Sequence, residues 1–249
     1  MAVDFGKFQY LEECTSTNDV AREQALLGAP HGYWISAGKQ TAGRGQKGRS
    51  WVSEPGNLLM SLILRKSLGA LATWIPIAAG VSVIRALAPI RPRVQVQIKW
   101  PNDLLIQGSK VGGILCEGTT QGADSFVIVG IGVNTSQVPE VLDRAVTALD
   151  IDSQELAVLR EGIARELLRE VDRLAQVGQA ELKMTAEELS IFAPGDLVTW
   201  GNGSGEWLGL GEFGELRVQV RDLNGSREVR LFSEEISGKL RRVDAESRS

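Results

Sequence analysis

The sequence has very little histidine and cysteine, the residues that most often bind zinc or act as nucleophile–base pairs. It contains one histidine, His31, and two widely separated cysteines, Cys14 and Cys116. These residues are too few for a structural zinc site, and no Cys-x-x-Cys pair or disulfide framework is present. His31 precedes Gly32 without a nearby nucleophile motif, so we do not expect acid–base catalysis from it. The cysteine usage predicts a reducing, cytoplasmic environment.

The chain also lacks an excess of positive charge and a long apolar run. Its 27 Lys and Arg against 31 Asp and Glu give a formal net charge of −4, which argues against general nucleic-acid binding. The most apolar segment, residues 75–90, contains Pro76, Arg85 and Pro89 and is too short to span a bilayer. The N-terminal residues show no signal-peptide pattern. We therefore expect no DNA partner and no membrane partner.

The most distinctive stretch is the basic segment of residues 38–52, GKQTAGRGQKGRSWV, called the basic loop below. It contains Lys39, Arg44, Lys47 and Arg49, and no acidic residue follows until Glu54. Its glycines allow successive backbone N–H groups to converge on an anion. Arginine adds a planar fork that binds phosphate or carboxylate through two hydrogen bonds. We predict a loop that is mobile when empty and closes over an anionic small molecule.

Two other interpretations of the basic loop are weaker. The spacing Gly43-x-Gly45-x-x-Gly48 matches a dinucleotide-binding fingerprint, but Pro55 and Gly56 follow where that fingerprint needs a helix. The kinase motifs His-Arg-Asp and Asp-Phe-Gly are absent from the sequence. A solvated basic turn would explain the charges but not the glycines or the tryptophan at the end.

Hydrophobic periodicity predicts an α+β protein with two domains. The predicted helices cover residues 20–27, 71–87 and 156–177, and the predicted strands cover residues 32–37, 57–64, 94–98, 104–106, 110–117 and 125–133. Beyond residue 189, short strands at 197–200, 207–210, 216–220 and 229–232 are typical of a small barrel. We place the domain boundary at residue 191, which gives domains 1–190 and 191–249.

Five motifs follow one another in the first part of the chain: Ser16-Thr17-Asn18, the basic loop, Lys99-Trp100-Pro101-Asn102-Asp103, Lys110-Val111-Gly112-Gly113-Ile114-Leu115, and Gly130-Ile131-Gly132-Val133-Asn134. This series resembles the biotin protein ligases, that is, the biotin–[acetyl-CoA-carboxylase] ligases. The resemblance extends by motif over residues 16–134, and more loosely through Gly195-Asp196 and residues 233–241. It implies a class II synthetase-like mixed sheet flanked by helices, followed by an SH3-like β-barrel.

The resemblance also implies a two-step reaction. ATP, with Mg²⁺, activates the carboxylate of biotin as biotinyl-5′-AMP and releases pyrophosphate. A lysine of the biotin carboxyl carrier protein of acetyl-CoA carboxylase, or of another biotin-dependent carboxylase, then attacks the mixed anhydride. A weak homodimer is compatible with the resemblance. Such chemistry needs no covalent enzyme intermediate, in agreement with the absence of a nucleophile–base motif.

Two basic residues receive catalytic roles from the resemblance. Adenylation joins two anions, so the site must neutralise their repulsion. Arg44 would lie over both anions, and Lys110 would bind the biotin carboxylate and then the bridging oxygen. Without the resemblance, Lys110 would be interpreted as a solvated lysine in a hairpin turn, because most lysines are exposed.

The remaining site residues divide between the two substrates. The predicted biotin-binding residues are Ser16, Thr17, Asn18, Gln40, Gly43, Arg44, Gly45, Gln46, Lys110, Gly112 and Gly113. The predicted ATP-binding residues are Arg44, Arg49, Trp51, Asn102, Asp103 and Asn134, and Asp103 is also the predicted metal ligand. By themselves, Ser16-Thr17-Asn18 would indicate helix capping, with Asp19 in a weak capping box, and Asn102-Asp103 would indicate a turn.

The sequence departs from the family pattern at two positions. Gln46 replaces an arginine of many relatives, which predicts weaker retention of the adenylate, and Glu234 replaces a frequent glycine. The chain starts close to Ser16, so we expect no N-terminal helix-turn-helix and no operator binding. Two alternatives stay open: a lipoate protein ligase, which shares the fold and the adenylation, and a non-catalytic biotin- or nucleotide-binding module.

Overall fold

In a computed structural model, the described residues are 8–52, 54–121, 124–140, 145–201, 203–222, 225–233 and 240–243. Within these ranges, the first part of the chain shows seven strands and four helices: β1 (Phe8–Cys14), α1 (Thr17–Leu26), β2 (Trp34–Gln40), β3 (Leu58–Leu64), α2 (Ile75–Leu87), β4 (Gln97–Lys99), β5 (Asp103–Ile106), β6 (Ser109–Gln121), β7 (Asp124–Val133), α3 (Ser153–Val177) and α4 (Ala180–Glu188). The second part contains β8 (Leu197–Trp200), β9 (Gly203–Leu210), β10 (Leu216–Asp222), β11 (Gly225–Leu231) and β12 (Arg241–Arg242). Short 3-10 turns occupy Gln46–Gly48 and Gly69–Trp74.

These strands form two sheets. The first is a seven-stranded mixed sheet in the order β1-β2-β3-β7-β6-β5-β4, in which only β1 and β2 pair in parallel. The second is a five-stranded antiparallel sheet in the order β11-β10-β9-β8-β12. The predicted fold class, a mixed sheet with helices followed by a small β unit, is confirmed. The boundary at residue 191 stays a prediction.

The central strand of the large sheet is covered by helices on both faces. All seven residues of β3, LLMSLIL, are buried, because α1 covers one face of the sheet and α2 with α3 cover the other. Helix α3 begins at a capping box in which the Asp152 carboxylate accepts from the Glu155 N–H and the Glu155 carboxylate accepts from the Asp152 N–H. The apolar positions of α3 pack into the main core. By length and composition alone the helical stretch Gly69–Leu87 could cross a membrane, but 61% of that window is buried in the fold.

Several predicted boundaries were wrong. Strand β1 and helix α4 were not predicted, since β1 is an edge strand without buried positions that mixes apolar and acidic residues, and α4 is short. The strand predicted at 94–98 is reduced to Gln97–Lys99, and the glycine-rich segment 201–205 already contains the start of β9. The predicted capping box at Ser16 is also wrong, because the Ser16 side chain makes no capping bond. Glu234 lies outside the described residues.

The two sheets are joined by two tryptophans of the first part of the chain. The indole N–H of Trp74 donates to the Glu212 carbonyl, and that of Trp100 donates to the Gly214 carbonyl, each at 2.8 Å. Both acceptors lie in the turn between β9 and β10. Trp100 immediately precedes Pro101 and Asn102, so the second sheet is bonded directly to the segment that carries a predicted nucleotide site.

Replacing Trp100 by Phe should destabilise the protein more than the same change at Trp207. Both residues are buried, but the Trp207 indole nitrogen has no hydrogen-bond partner among the described residues, whereas Trp100 satisfies a buried carbonyl. An unpaired buried polar group costs about 1–3 kcal/mol, so W100F should lose roughly that much beyond W207F. Urea unfolding of both variants measures the difference. Equal losses would show that the Trp100–Gly214 bond contributes nothing to stability.

Candidate active site

One cleft collects residues from segments that are distant in sequence. It is formed by the start of α1, the end of β2, the basic loop, β6 and β7, with Leu59 of β3 and Asn102 completing the lining. Twelve predicted site residues line it: Ser16, Thr17, Asn18, Gln40, Arg44, Gly45, Gln46, Arg49, Trp51, Asn102, Lys110 and Gly113. An adjoining cleft shares Gln46, Arg49, Asn102 and Lys110 and adds Asp103.

The basic loop is folded back on itself over this cleft. The Trp51 N–H donates to the Gly43 carbonyl at 2.9 Å, and the Gly45 N–H donates to the Arg49 carbonyl at 2.7 Å. A Cβ atom at Gly43 would lie 2.6 Å from the Trp51 carbonyl oxygen, so this close approach requires glycine. The loop thus brings Arg44, Gln46 and Arg49 to the cleft. Its predicted mobility stays a prediction.

A chain of polar side chains lines one end of the cleft. The Gln40 Oε1 accepts from the Thr17 backbone N–H at 2.7 Å and lies 3.1 Å from the Thr17 hydroxyl. The Ser61 hydroxyl is 2.7 Å from Thr17 Oγ1 and 2.6 Å from Asn18 Oδ1. Thr17, Asn18 and Ser61 are all buried. This end can therefore offer an ordered set of donors and acceptors to a small polar ligand group.

Arg44 is held by two carboxylates. Its Nη1 donates to both Asp19 carboxylate oxygens at 2.6 and 2.7 Å, and its Nη2 donates to Glu117 at 3.2 Å. The hydrogen bond from Asp19 raises the pKa of Arg44 above its usual value, and Glu117 adds to that rise. The guanidinium is consequently a permanent cation at the cleft.

Lys110 lies between a carboxylate and an aromatic ring. Its ammonium forms an ion pair with Asp103 and is 5.6 Å from the centre of the Trp51 ring. The exposed fraction of the Lys110 side chain is only 15%, so the interpretation as a solvated turn lysine is wrong. Gly132 and Gly113 lie against the Trp51 ring, and a Cβ at Gly132 would come within 2.6 Å of it. The absence of these side chains makes room for the tryptophan.

Four predicted residues lie outside the lining of the first cleft. Asp103 lines the adjoining cleft, whereas Gly43, Gly112 and Asn134 line neither of the two. Asn134 is buried; its Nδ2 donates to the Thr147 carbonyl at 3.0 Å, and its Oδ1 has no partner among the described residues. The indole nitrogen of Trp51 is likewise buried without a partner in that part of the chain.

Sequence reasoning missed five residues that build the site. Asp19 and Glu117 hold Arg44, Ser61 bonds Asn18, and the glycines at 130 and 132 make room for Asn18 and Trp51. Some signals were present in the sequence. Ser61 is the polar residue of an otherwise apolar run, and glycine inside a strand often marks a close approach. The contacts of Glu117 with Asn18 and Arg44 join residues far apart in sequence, and nothing local indicates them.

The thiols and the histidine do not supply a nucleophile or a base. Burial raises the pKa of Cys116 to about 12 and also raises the pKa of Cys14, so both stay protonated near neutral pH. Burial lowers the pKa of His31, whose Nδ1 accepts from the Arg65 N–H at 3.0 Å. Within the described ranges, no cluster of three or more His, Cys, Asp or Glu residues could hold a metal ion.

The fold is that of the biotin protein ligases. The biotin protein ligase of Aquifex aeolicus, in a structure with biotin and ATP, matches with a TM-score of 0.78 and 28% identity over 96% of this chain and 100% of that chain. The biotin–[acetyl-CoA-carboxylase] ligase of Mycobacterium tuberculosis is 36% identical over 179 residues, 69% of this chain. The bifunctional ligase/repressor BirA of Bacillus spizizenii is 38% identical over 166 residues, 64% of this chain. These two alignments span 65% and 50% of the relatives' lengths.

The family model for the biotin/lipoate A/B protein ligases matches residues 10–134, which contain the five motifs and every residue of the cleft. The chain therefore belongs to the biotin/lipoate A/B protein ligase family. The resemblance to biotin protein ligases, inferred from the motifs, is confirmed.

Replacing Gly130 by Ala should destabilise the fold. A Cβ atom there would lie 2.2 Å from Asn18 Oδ1, so the buried start of α1 has to move. Overpacking of this kind costs about 1–3 kcal/mol. Gly118→Ala is the matched control, because no atom lies within 4 Å of a Cβ at that position in the same sheet. Urea unfolding compares the two, and a G130A variant as stable as G118A would contradict the observed packing.

Proposed function

We propose that the protein is an ATP-dependent biotin–[biotin carboxyl carrier protein] ligase. The observation that carries the proposal is the convergence, in one cleft, of a buried polar chain and of two cations that are held by carboxylates. The Aquifex aeolicus relative, whose structure contains biotin and ATP, supports the assignment of both ligands.

The buried polar end fits the ureido ring of biotin. Ser16, Thr17, Asn18 and Gln40 lie together there, and Gly113 exposes the backbone of β6 to the cleft. A buried ureido group needs several partners, because each unpaired polar atom costs on the order of 1–3 kcal/mol. The same residues would bind poorly to a purely aliphatic ring.

The two cations fit the reacting groups. The biotin carboxylate attacks the α-phosphorus of ATP, and pyrophosphate leaves. Arg44 and Lys110 neutralise the two anions as they approach, which is the main electrostatic obstacle of this step. Lys110 then remains at the bridging oxygen of the adenylate. To contact the adenylate, the Lys110 ammonium has to weaken or break its ion pair with Asp103.

The nucleotide fits the part of the site next to Lys110. The Trp51 ring supplies an aromatic face and Arg49 supplies a cation for phosphate. The Asn134 Oδ1 has no partner among the residues that the structure describes, and such an acceptor suits the amino group of adenine. Asp103 and the Asn102 amide suit Mg²⁺, which prefers one or two carboxylates together with substrate phosphates and water. When bound, the ion would neutralise phosphate charge.

In the second step a lysine of the carrier protein attacks the acyl carbon of the adenylate and expels AMP. The name of the Mycobacterium tuberculosis relative supports acetyl-CoA carboxylase as the source of the carrier. Gln46 lines both clefts but brings no charge, so we expect a looser hold on the adenylate than an arginine would give. We further propose a cytoplasmic protein with domains 1–190 and 191–249 and at most a weak homodimer.

Incubation with biotin, ATP, Mg²⁺ and a biotin carrier domain should attach biotin to one lysine of the carrier. The attachment is detected by mass spectrometry, with a known biotin ligase as the positive control. Biotin should also raise the melting temperature more than lipoate, because the true ligand stabilises the folded state by mass action. An unmodified carrier, together with stabilisation by lipoate alone, would favour the lipoate ligase. Biotin binding without turnover would favour a non-catalytic module.

Replacing Lys110 by Ala should abolish most adenylate formation while leaving biotin binding largely intact, because the ammonium acts where charge develops. We expect a loss of about 100-fold or more in single-turnover adenylation, the scale of one electrostatic group at a reacting centre. Lys66→Ala is the matched control, since Lys66 pairs with Asp172 of α3 away from the cleft. Adenylation by K110A at the rate of K66A would show that the role is misassigned.

A further inference from the structure

We propose that Glu117 is a positioning residue of this site, which orients both the Asn18 amide and the Arg44 guanidinium. Neither the five motifs nor the predicted site residues include it. The inference deepens the proposed function and rests on it, because it concerns how the biotin-binding amide and the anion-binding arginine are held before substrates arrive.

Glu117 contacts the side-chain amide of Asn18. The Glu117 Oε2 accepts from Asn18 Nδ2 at 2.7 Å, while the Ser61 hydroxyl lies 2.6 Å from Asn18 Oδ1. An ionised carboxylate can only accept hydrogen bonds, so the nitrogen of the amide has to face Glu117. Ser61 could accept from the amide as well as donate to it, and therefore does not fix the orientation alone. Asn18 Nδ2 also lies 3.4 Å from the Leu115 carbonyl, but Glu117 is its shorter contact and is therefore the main group that leaves Oδ1 as the acceptor atom of Asn18.

Glu117 also contacts the guanidinium of Arg44. Asp19 occupies Nη1 and Glu117 occupies Nη2, so the guanidinium is oriented from two sides. The Arg22 Nη2 lies 3.5 Å from Glu117 Oε1. Two arginines and two carboxylates form a cluster with no net charge. Arg44 is thus placed by fixed partners rather than by its ligand, and this lowers the reorganisation needed at the moment of reaction.

A purely stabilising role explains the cluster less well. The exposed fractions of the Arg44, Asp19 and Glu117 side chains are 39%, 35% and 24%. Ion pairs with this much solvent contact add little to stability. The same carboxylate, however, accepts from the side chain of Asn18, a residue that is only 2% exposed and lines the cleft. Glu117 thus contacts both a buried polar side chain and a cation of one cleft, and such a residue is suited to positioning.

The test is the affinity for biotin alone, measured by isothermal titration calorimetry. Glu117→Gln keeps the shape but offers one acceptor oxygen to two donors, so we expect biotin to bind about tenfold more weakly or worse. Glu181→Gln is the matched control, because Glu181 pairs with Arg173 on the exposed surface, away from both clefts. That variant should bind biotin like the wild type. Equal affinity of E117Q and E181Q would overturn the proposal.

A double-mutant cycle separates positioning from a structural effect. If Glu117 acts through Asn18, then Glu117→Gln should cause no further loss of biotin affinity in the Asn18→Ala background. In single-turnover adenylation, Glu117→Gln and Arg44→Ala should likewise be less than additive. Fully additive losses in both cycles would overturn the proposal. Should E117Q fail to fold, Glu117→Asp, which is too short for both contacts, should give the same cycle.

The outcome for the wild type separates this inference from the proposed function. A wild-type protein that does not bind biotin would overturn the proposed function and the positioning role together. A wild type that binds biotin and forms the adenylate, beside an E117Q variant that does both equally well, would overturn the positioning role alone.

Discussion

The central physical feature of the molecule is that its cleft holds two cations against carboxylates of the same chain. Arg44 pairs with Asp19 and Glu117, and Lys110 pairs with Asp103. Paired, they are oriented in advance, and a substrate anion has only to compete for a cation that is already in place. Under the proposed function, this arrangement prepares the site for the meeting of two anions.

Glycines in the sheet make room for this arrangement. The glycines at 130 and 132 of β7 admit the Asn18 amide and the Trp51 ring, and Gly113 of β6 lies between Trp51 and Lys110. The neighbouring strand β3 is buried along its whole length and apolar except for Ser61, and its pairing with β7 fixes the backbone to which two of these glycines belong. The rigid part of the fold thus sets the positions of α1 and the basic loop, from which the polar side chains project.

Much of the cleft could be predicted from the sequence, because each family motif is a short continuous stretch that can be recognised by itself. Gln46 and Lys110 were assigned to the site in this way, and both line the cleft. The acidic partners could not be found, since Glu117 of β6 and Arg44 of the basic loop are 73 residues apart in sequence and Asp19 has the local sequence of a helix cap. Strand β1 was missed for a similar reason: its pairing with β2 is a contact between distant residues, and its own sequence shows no buried face.

The most direct test of the account is ATP–pyrophosphate exchange by the wild-type protein, because it reports the adenylation step without a carrier. We predict exchange that depends on biotin and is not supported by lipoate. Exchange that proceeds without biotin, or with lipoate in its place, would contradict the assignment of the buried polar end to the ureido ring. An absence of exchange beside tight biotin binding would contradict the roles of Arg44 and Lys110.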